Sequence, residues 1–503
     1  MLEEYLEPVI NHQALLLTIL LAKKRISFHA IQQKTGFSLA NIKRYIHQLE
    51  ELFQGDIAFE WDSTIVRCTV LKRGKPFLKT IYRQSVRLHI LKFLLMKAPC
   101  YKVKSVSGFA KEHFISTPSA YRLIQHMKPF VEECGLALED NSVVGEEWRI
   151  RYLIALLHDK YGIVIYELTD HDLDIVHDVI FTIKQQKTPH PLLDKKFRFF
   201  DVLLSLSWKR REFDIAIPQE GIFKRLKALT LYRDLEDFFK RKGKLLLDMD
   251  FPSSEIDYLF LVYLTVNNSF SITEWSEEDS SALLTIIQED PAYQELLGEL
   301  RHLFDHYIVF DKACIQTLIP YFRKTLFDLQ LLIPQKYYYA EEYQGSKPLA
   351  NRIEGLINSW ADRVSGRGRL TGSNLHLLCT RLEQLVREGL PPLAIAVIEI
   401  NKKNIDILYS LVLQQVSPCV ATVCRFNILS EAELLWATDF DLIVTTAEMT
   451  AFIKEKLSLN DNTKILDFNF DFVMYQAEYL SQVIRELRDK QYQESLVASD
   501  WCF

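Results

Sequence analysis

The sequence predicts a mainly α, multidomain chain that turns to alternating strands and helices near its C-terminal end. Three observations carry this reading. At roughly 100–150 residues per domain, 503 residues are too many for one core. Gly and Pro number only 16 each, which leaves long stretches free for helices. Helical periodicity persists to Pro391-Pro392, and short apolar runs then alternate with amphipathic stretches.

The first element is a helix over Gln13–Lys24, followed by a second over Ser27–Lys34. Gly36 supplies a turn, and Ser38–Phe53 forms a third helix. Alternation over Asp56–Val70, broken at Asp62-Ser63, predicts a hairpin beside that helix. Residues 1–75 therefore read as a winged helix-turn-helix. A second module over 76–164 repeats the scheme. It comprises a long helix Lys79–Met96 ended by Pro99, a helix Ser105–His113 and a helix Ser116–Cys134 with Pro118 in its first turn. A small wing at Leu136–Glu139 and Val143-Val144 turns at Asp140-Asn141, and a closing helix spans Trp148–Lys160.

The third helix of each module follows one pattern at an offset of 78 residues. Ser38 matches Ser116, Arg44 matches Arg122, Ile46 matches Ile124 and Leu49 matches Met127. Each serine stands where a helix N-cap belongs. Apolar residues at helical spacing give each helix a core face. The opposite faces offer Ser38, Asn41, Lys43 and Arg44, and Ser116, Thr117, Ser119, Arg122 and Gln125. Such side chains donate to phosphates and to base edges in a major groove, so double-stranded DNA is the expected partner. Charge agrees: residues 1–130 hold 20 Lys and Arg against 9 Asp and Glu, in a chain whose formal net charge is −6. A basic head on an acidic body marks a nucleic-acid-binding end. The competing reading is a solvated, Lys-rich helical surface.

Two helical bundles follow, over 165–285 and 286–391. Phe197–Arg211, Phe223–Lys240 and Glu255–Thr265 are the clear helices of the first. Tyr293–Phe310, Ile315–Leu329, Leu349–Val364 and Asn374–Gly389 belong to the second. Residues 392–503 read as a small parallel α/β domain. Its strands are Leu393–Ile400, Cys419–Cys424, Leu442–Thr445 and Lys464–Phe468, and its helices Ile405–Val416, Glu431–Leu435, Thr450–Leu457 and Phe472–Arg488.

Chemistry-bearing motifs are sparse. No apolar run approaches the roughly 18 residues of a membrane span, and Glu3, Glu4 and Glu7 precede the apolar Leu15–Ala22, the reverse of a signal peptide. A cytoplasmic protein without membrane contact is expected. The eight cysteines form no Cys-x-x-Cys pair, which argues against a zinc site or a disulfide framework. His302 and His306 share helical spacing but lack the glutamate of a hydrolytic zinc helix. Gly366, Gly368 and Gly372 lie in a loop after a helix, not after a strand as in a phosphate-binding loop. No catalytic constellation and no cofactor fingerprint emerges, so no enzyme, metal or cofactor is expected.

With its order of modules, Ser116–Arg122, and Gly145-Glu146-Glu147-Trp148-Arg149 opening a helix, the chain resembles the Mga/AtxA-type transcriptional regulators of Gram-positive bacteria. The resemblance covers essentially the whole chain. It implies a homodimeric DNA-binding activator whose bundles resemble phosphotransferase-system regulation domains (PRD), with an enzyme-IIB-like C-terminal domain. It further implies control by sugar-phosphotransferase status, with the phosphocarrier protein as a partner and His177 and His376 as candidate phosphorylation sites. Two departures qualify this. Glu255–Tyr263 looks like a phosphohistidine helix but places Tyr263 at the histidine position, and Tyr321 recurs similarly in the second bundle. Glu399-Ile400-Asn401-Lys402 lacks the thiol and glycines of a true enzyme-IIB loop. The rival readings are a phosphotransferase-system component and an RNA-binding antiterminator of the regulation-domain type.

Overall fold

The computed structural model describes residues 2–96, 105–183, 198–218, 221–266, 277–304, 327–334, 347–365, 372–430, 439–456, 463–469 and 473–498. The chain divides into two compact units. One runs from the N-terminus to Leu297 and takes in the segments around Asp328 and Trp360; the other is built mainly on residues from Leu377 onward.

In the first unit, a 3-10 turn Leu2–Tyr5 leads into α1 (Pro8–Lys23), β1 (Arg25–Ser27), α2 (Phe28–Thr35) and α3 (Leu39–Leu52). The strands β2 (Ile57–Trp61) and β3 (Ile65–Val70) form the wing, and β3 lies between β1 and β2 in a three-stranded antiparallel sheet. Ser27 and Ser38 cap α2 and α3, while Gly36 turns between them at φ 71°, a left-handed conformation that glycine adopts without a Cβ clash.

The second module comprises α4 (Phe77–Tyr82), α5 (Val86–Leu95), α6 (Val106–Glu112), α7 (Thr117–Glu133), the hairpin β4 (Ala137–Glu139) and β5 (Ser142–Val144), and α8 (Glu147–Asp159). Asp140 and Asn141 both have positive φ, the signature of a two-residue hairpin turn. The single helix expected over Lys79–Met96 is instead two. Ser85 adopts an extended conformation and caps α5 by accepting from the Leu88 N–H, while its own hydroxyl donates to Glu7 at 2.6 Å.

The first bundle contains α9 (Asp170–Ile183), α10 (Arg198–Lys209), α11 (Ile222–Leu226), α12 (Thr230–Phe238), the short α13 (Lys244–Leu247), α14 (Ser253–Thr265) and α15 (Glu277–Gln288). The helix expected over Phe223–Lys240 is broken at Leu229. Asp279 of α15 accepts from the Thr230 N–H at 2.9 Å and so caps α12 from a distant part of the chain. α14 is buried along its whole length from Glu255 to Thr265. The helix α16 (Pro291–Phe304) is joined to α17 (Lys347–Ser365) by Trp360 donating to the Ala292 carbonyl at 2.7 Å. Of the helix expected over Ile315–Leu329, only its last three residues are described, and they are not helical: Phe327 and Asp328 form a turn.

α18 (Gly372–Gly389), which belongs to the second unit from Leu377 onward, precedes β6 (Leu393–Glu399), α19 (Lys402–Gln415), β7 (Ala421–Asn427), β8 (Leu442–Thr446), α20 (Ala447–Lys456), β9 (Lys464–Phe468) and α21 (Val473–Ala498). The four strands are parallel in the order β7-β6-β8-β9. Leu393, Ile395 and Val397 face one core, with Leu408 and Val412 of α19 and Leu480 and Val483 of α21; Ala396 and Ile398 face the other, with Ile453 of α20. Near-continuous apolar strands follow from burial on both faces. Cys419 lies in a turn before β7 and not in the strand, and α21 runs ten residues past Arg488. His306, Tyr321, Gly366, Gly368 and the helix expected at Glu431–Leu435 lie outside the described residues.

Candidate nucleic-acid interface

The two recognition helices coincide at the 78-residue offset in their burial as well as in their sequence. Ile42, Ile46 and Leu49 are buried on α3; Ala120, Ile124 and Met127 are buried on α7. The caps agree too. Ser38 Oγ accepts from the Asn41 N–H at 3.3 Å, and Ser116 Oγ accepts from the Ser119 N–H at 3.2 Å. Ser119 adds a hydroxyl–hydroxyl bond to Ser116 at 2.8 Å. The supporting helices α2 and α6 obey the same offset, capped by Ser27 and Ser105 at 3.1 Å each.

The helices differ in what they expose. On α3, Arg44 is exposed and Asn41 half-buried. Lys43 is half-buried, with its ammonium 5.7 Å from the Phe28 ring centroid and 5.6 Å from that of Trp61 on the wing. His47 packs edge-on to Trp61 at 5.3 Å. On α7, Ser116, Arg122 and Gln125 are exposed and Thr117 and Ser119 half-buried. Tyr121, the positional counterpart of Lys43, is 47% exposed. Tyr121 and His47 are the members of these faces that sequence reasoning missed. His47 lies three residues on from Arg44, and Tyr121 four before Gln125, so each shares a helix face with one of those side chains.

The wings suit phosphate poorly. Asp62 at the first wing tip accepts from the Thr64 and Ile65 N–H groups at 2.6 and 2.9 Å, and these bonds hold its carboxyl below the usual aspartate range. The second wing turns on Asp140 and Asn141, with Glu139 at the end of the strand before them. The tips are anionic and repel phosphate, whereas α3 and α7 expose hydrogen-bond donors.

Behind the second module, α8 carries charge into the interior. Arg151 is fully buried and donates from both terminal nitrogens to Glu255 of α14 at 2.7 Å, and from Nε to Glu147 at 3.0 Å. Arg210, 3% exposed, donates to both oxygens of Glu147 at 2.6 and 2.8 Å. Burial works against the Arg151 charge, but hydrogen bonding and attraction from Glu255 more than offset it. The cost falls on Glu255, whose carboxyl burial raises further than Arg151 lowers it. Tyr152 adds a hydroxyl bond to Thr265 at 2.6 Å. On another face of α8, Arg149 donates to the Asp328 carbonyl at 2.9 Å.

His177 is half-buried on α9, with its Nε2 closed off from solvent. His376 falls within α18, its side chain outside the described residues. Tyr263 is buried edge-on to Phe200 at 4.9 Å. In the second unit, Asn401 after β6 caps α19 by accepting from the Lys403 N–H at 2.9 Å. Glu399 is buried and accepts from Asn404 and Thr446. No side chain in this turn is a nucleophilic thiol. Among the described residues no group of His, Cys, Asp and Glu is placed to hold a metal ion, and no helix is long and apolar enough to cross a membrane.

Three matches to known families fall in chain order on these elements. Residues 9–65 match the M protein trans-acting positive regulator (MGA) HTH domain, residues 74–158 the Mga helix-turn-helix domain, and residues 172–282 the M protein trans-acting positive regulator (MGA) PRD domain. No curated protein matches the chain. With two DNA-binding modules joined through α8 to a PRD bundle, the chain belongs to the Mga-type, PRD-containing transcriptional regulators, a family of DNA-binding proteins rather than of enzymes.

Proposed function

We propose that the chain is a homodimeric transcription activator that binds duplex DNA through α3 and α7 and responds to sugar-phosphotransferase status through its bundles. Ser38, Asn41, Lys43 and Arg44, with Ser116, Thr117, Ser119, Arg122 and Gln125, are the DNA contacts in this reading. The observation that carries it is the pair of serine-capped helices with superimposable buried faces and donor-rich opposite faces. The working segments are 1–75, 76–164, 165–285, 286–391 and 392–503.

The regulatory part rests on the PRD match and on the Glu147–Arg151–Glu255–Arg210 network, which makes α8 the shaft between bundle and recognition helix. A buried quartet of charges is weak evidence for stability but well suited to fixing one register of two elements. The last domain reads as an enzyme-IIB-like fold without its chemistry, supported by the parallel sheet and by Asn401 where that loop needs a thiol. Exposed Ile407 and Leu413 on α19 support its use in dimer formation. Phosphorylation by the phosphocarrier would act at His177 or His376, adding about −1.5 to −2 charge.

The direct test is a titration of duplex DNA with wild type, Arg44→Ala and Arg122→Ala. Arg122→Ala should cost about 1–3 kcal/mol of binding, and wild-type affinity should fall steeply with salt. Unchanged affinity in both variants overturns the reading. Sedimentation at micromolar concentration tests the dimer. Reporter output of His177→Ala and His376→Ala, with and without the phosphocarrier, tests the response.

A further inference from the structure

Residues 2–7 do not trail from the first module; they are fastened to the second. Leu2 and Leu6 are each 2% exposed. Tyr5 packs on Phe130 and His126 of α7, with ring centroids 5.7 and 6.1 Å apart, and its hydroxyl donates to Glu133 at 2.7 Å. Burial and then Glu133 push that hydroxyl's pKa up to about 12, so it stays a donor. Arg87 of α5 gathers the segment from one nitrogen, donating to the Tyr5 and Leu6 carbonyls at 3.0 Å each, with His126 Nε2 at 2.8 Å. Glu7 accepts from Ser85 Oγ at 2.6 Å and from the Arg87 N–H at 3.1 Å. Glu3 pairs with Lys160 at the end of α8.

Glu7 is also the N-cap residue of α1. The fastening therefore passes without a flexible joint into the helix that carries the first module's core, where Leu16, Leu17 and Leu20 are buried. α7, the helix fastened, is the second module's recognition helix.

We propose that residues 2–7 form a strap that sets one distance and angle between α3 and α7, so that the two helices read a composite DNA site in a single register. The strap rests on the reading that both helices enter DNA, but its mechanical part stands without it. Two linked contacts reinforce each other only when their span matches the sites, and a rigid link concentrates that gain on one spacing.

The test has two arms on the full chain. In the first, spin labels carried by genetically encoded residues at the exposed positions 51 and 128 report the distance between the ends of α3 and α7 without DNA. Wild type should give one narrow distribution. Deletion of residues 2–6, and the milder Arg87→Ala, should broaden it while the melting transition stays cooperative. A narrow distribution in both variants overturns the strap.

The second arm uses the duplex that the full chain enriches from a random-sequence pool, with and without five base pairs inserted between the two protected segments. Insertion should weaken wild-type binding at least tenfold. The strap variants should lose about tenfold on the parent duplex and less than threefold more on insertion. Wild-type binding that ignores the insertion overturns the single register, and the first arm then shows whether the strap or the two-helix reading has failed.

Discussion

The two helix-turn-helix modules share their offset, caps and buried faces, yet they are held in different ways. The first closes on itself. Its wing returns Trp61 to the recognition helix, against Lys43 and His47. The second is held from outside. Its recognition helix is gripped by the N-terminal strap, and its closing helix is pinned to the PRD bundle by buried charge. The difference teaches that one local fold can serve two ends. The embedding differs between them: among the described residues, buried charge joins the closing helix of the second module to the bundle.

The largest expected effect tests that asymmetry. Arg151→Ala leaves Glu147 and Glu255 buried with one partner fewer, and should destabilise the chain by about 3–5 kcal/mol in chemical denaturation. Arg44→Ala, on the exposed face of the first module, should stay within about 0.5 kcal/mol. Replacing Glu147, Arg151, Arg210 and Glu255 together by apolar residues of similar volume should restore most of the stability, since buried pairs often exchange for apolar packing at little cost. If Arg151→Ala costs no more than Arg44→Ala, the second module is no more anchored than the first.

A smaller effect separates the turns. Gly36 lies at φ 71° with open space where a Cβ would stand. Its counterpart 78 residues on is Phe114, at φ 54° and 97% exposed. A bulky residue in the left-handed region stores about 1–3 kcal/mol of strain, and no burial returns it here. Phe114→Gly should therefore stabilise the chain by about 1 kcal/mol, and Gly36→Ala should destabilise it by a similar amount. The melting temperatures of the two variants should move in opposite directions. A fall in both removes the strain argument.

What the sequence revealed and concealed follows the same division. The tandem motif, the caps Ser38 and Ser116 and the strand Lys464–Phe468 were legible because their signals are local: a serine three residues before an N–H it accepts, or an apolar run between turns. The breaks at Ser85 and Leu229 were not, because Glu7 and Asp279 supply the bonds from across the fold. The charge quartet was hidden for a related reason. Glu147, Arg151, Arg210 and Glu255 read as surface residues until topology brings them together inside. Gly145-Glu146-Glu147-Trp148-Arg149 was noticed as a pattern, but nothing in its spacing says that Arg149 reaches Asp328. On the candidate faces, the exposure of the matched arginines was legible; that of Tyr121 was not, since an aromatic residue at helical spacing reads as core.

The smallest expected effect asks whether the two recognition helices use that shared position differently. Lys43 sits half-buried over two rings, a contact worth about 0.5–1 kcal/mol. Trp61→Ala and Lys43→Ala should therefore couple by about 0.5 kcal/mol in a double-mutant cycle of stability. Held there, the ammonium is placed as a fixed charge, which suits a phosphate better than a base edge. Tyr121 offers instead an exposed ring on the second helix, able to meet a thymine methyl in the groove. Tyr121→Ala should leave stability within about 0.5 kcal/mol and relax the base preference recovered from a random-sequence pool. Lys43→Ala should weaken binding evenly across sequences and lower the salt dependence by about one phosphate contact. Equal changes in base preference for the two variants would mean that both helices read bases, and that the first module's wing contact is packing alone.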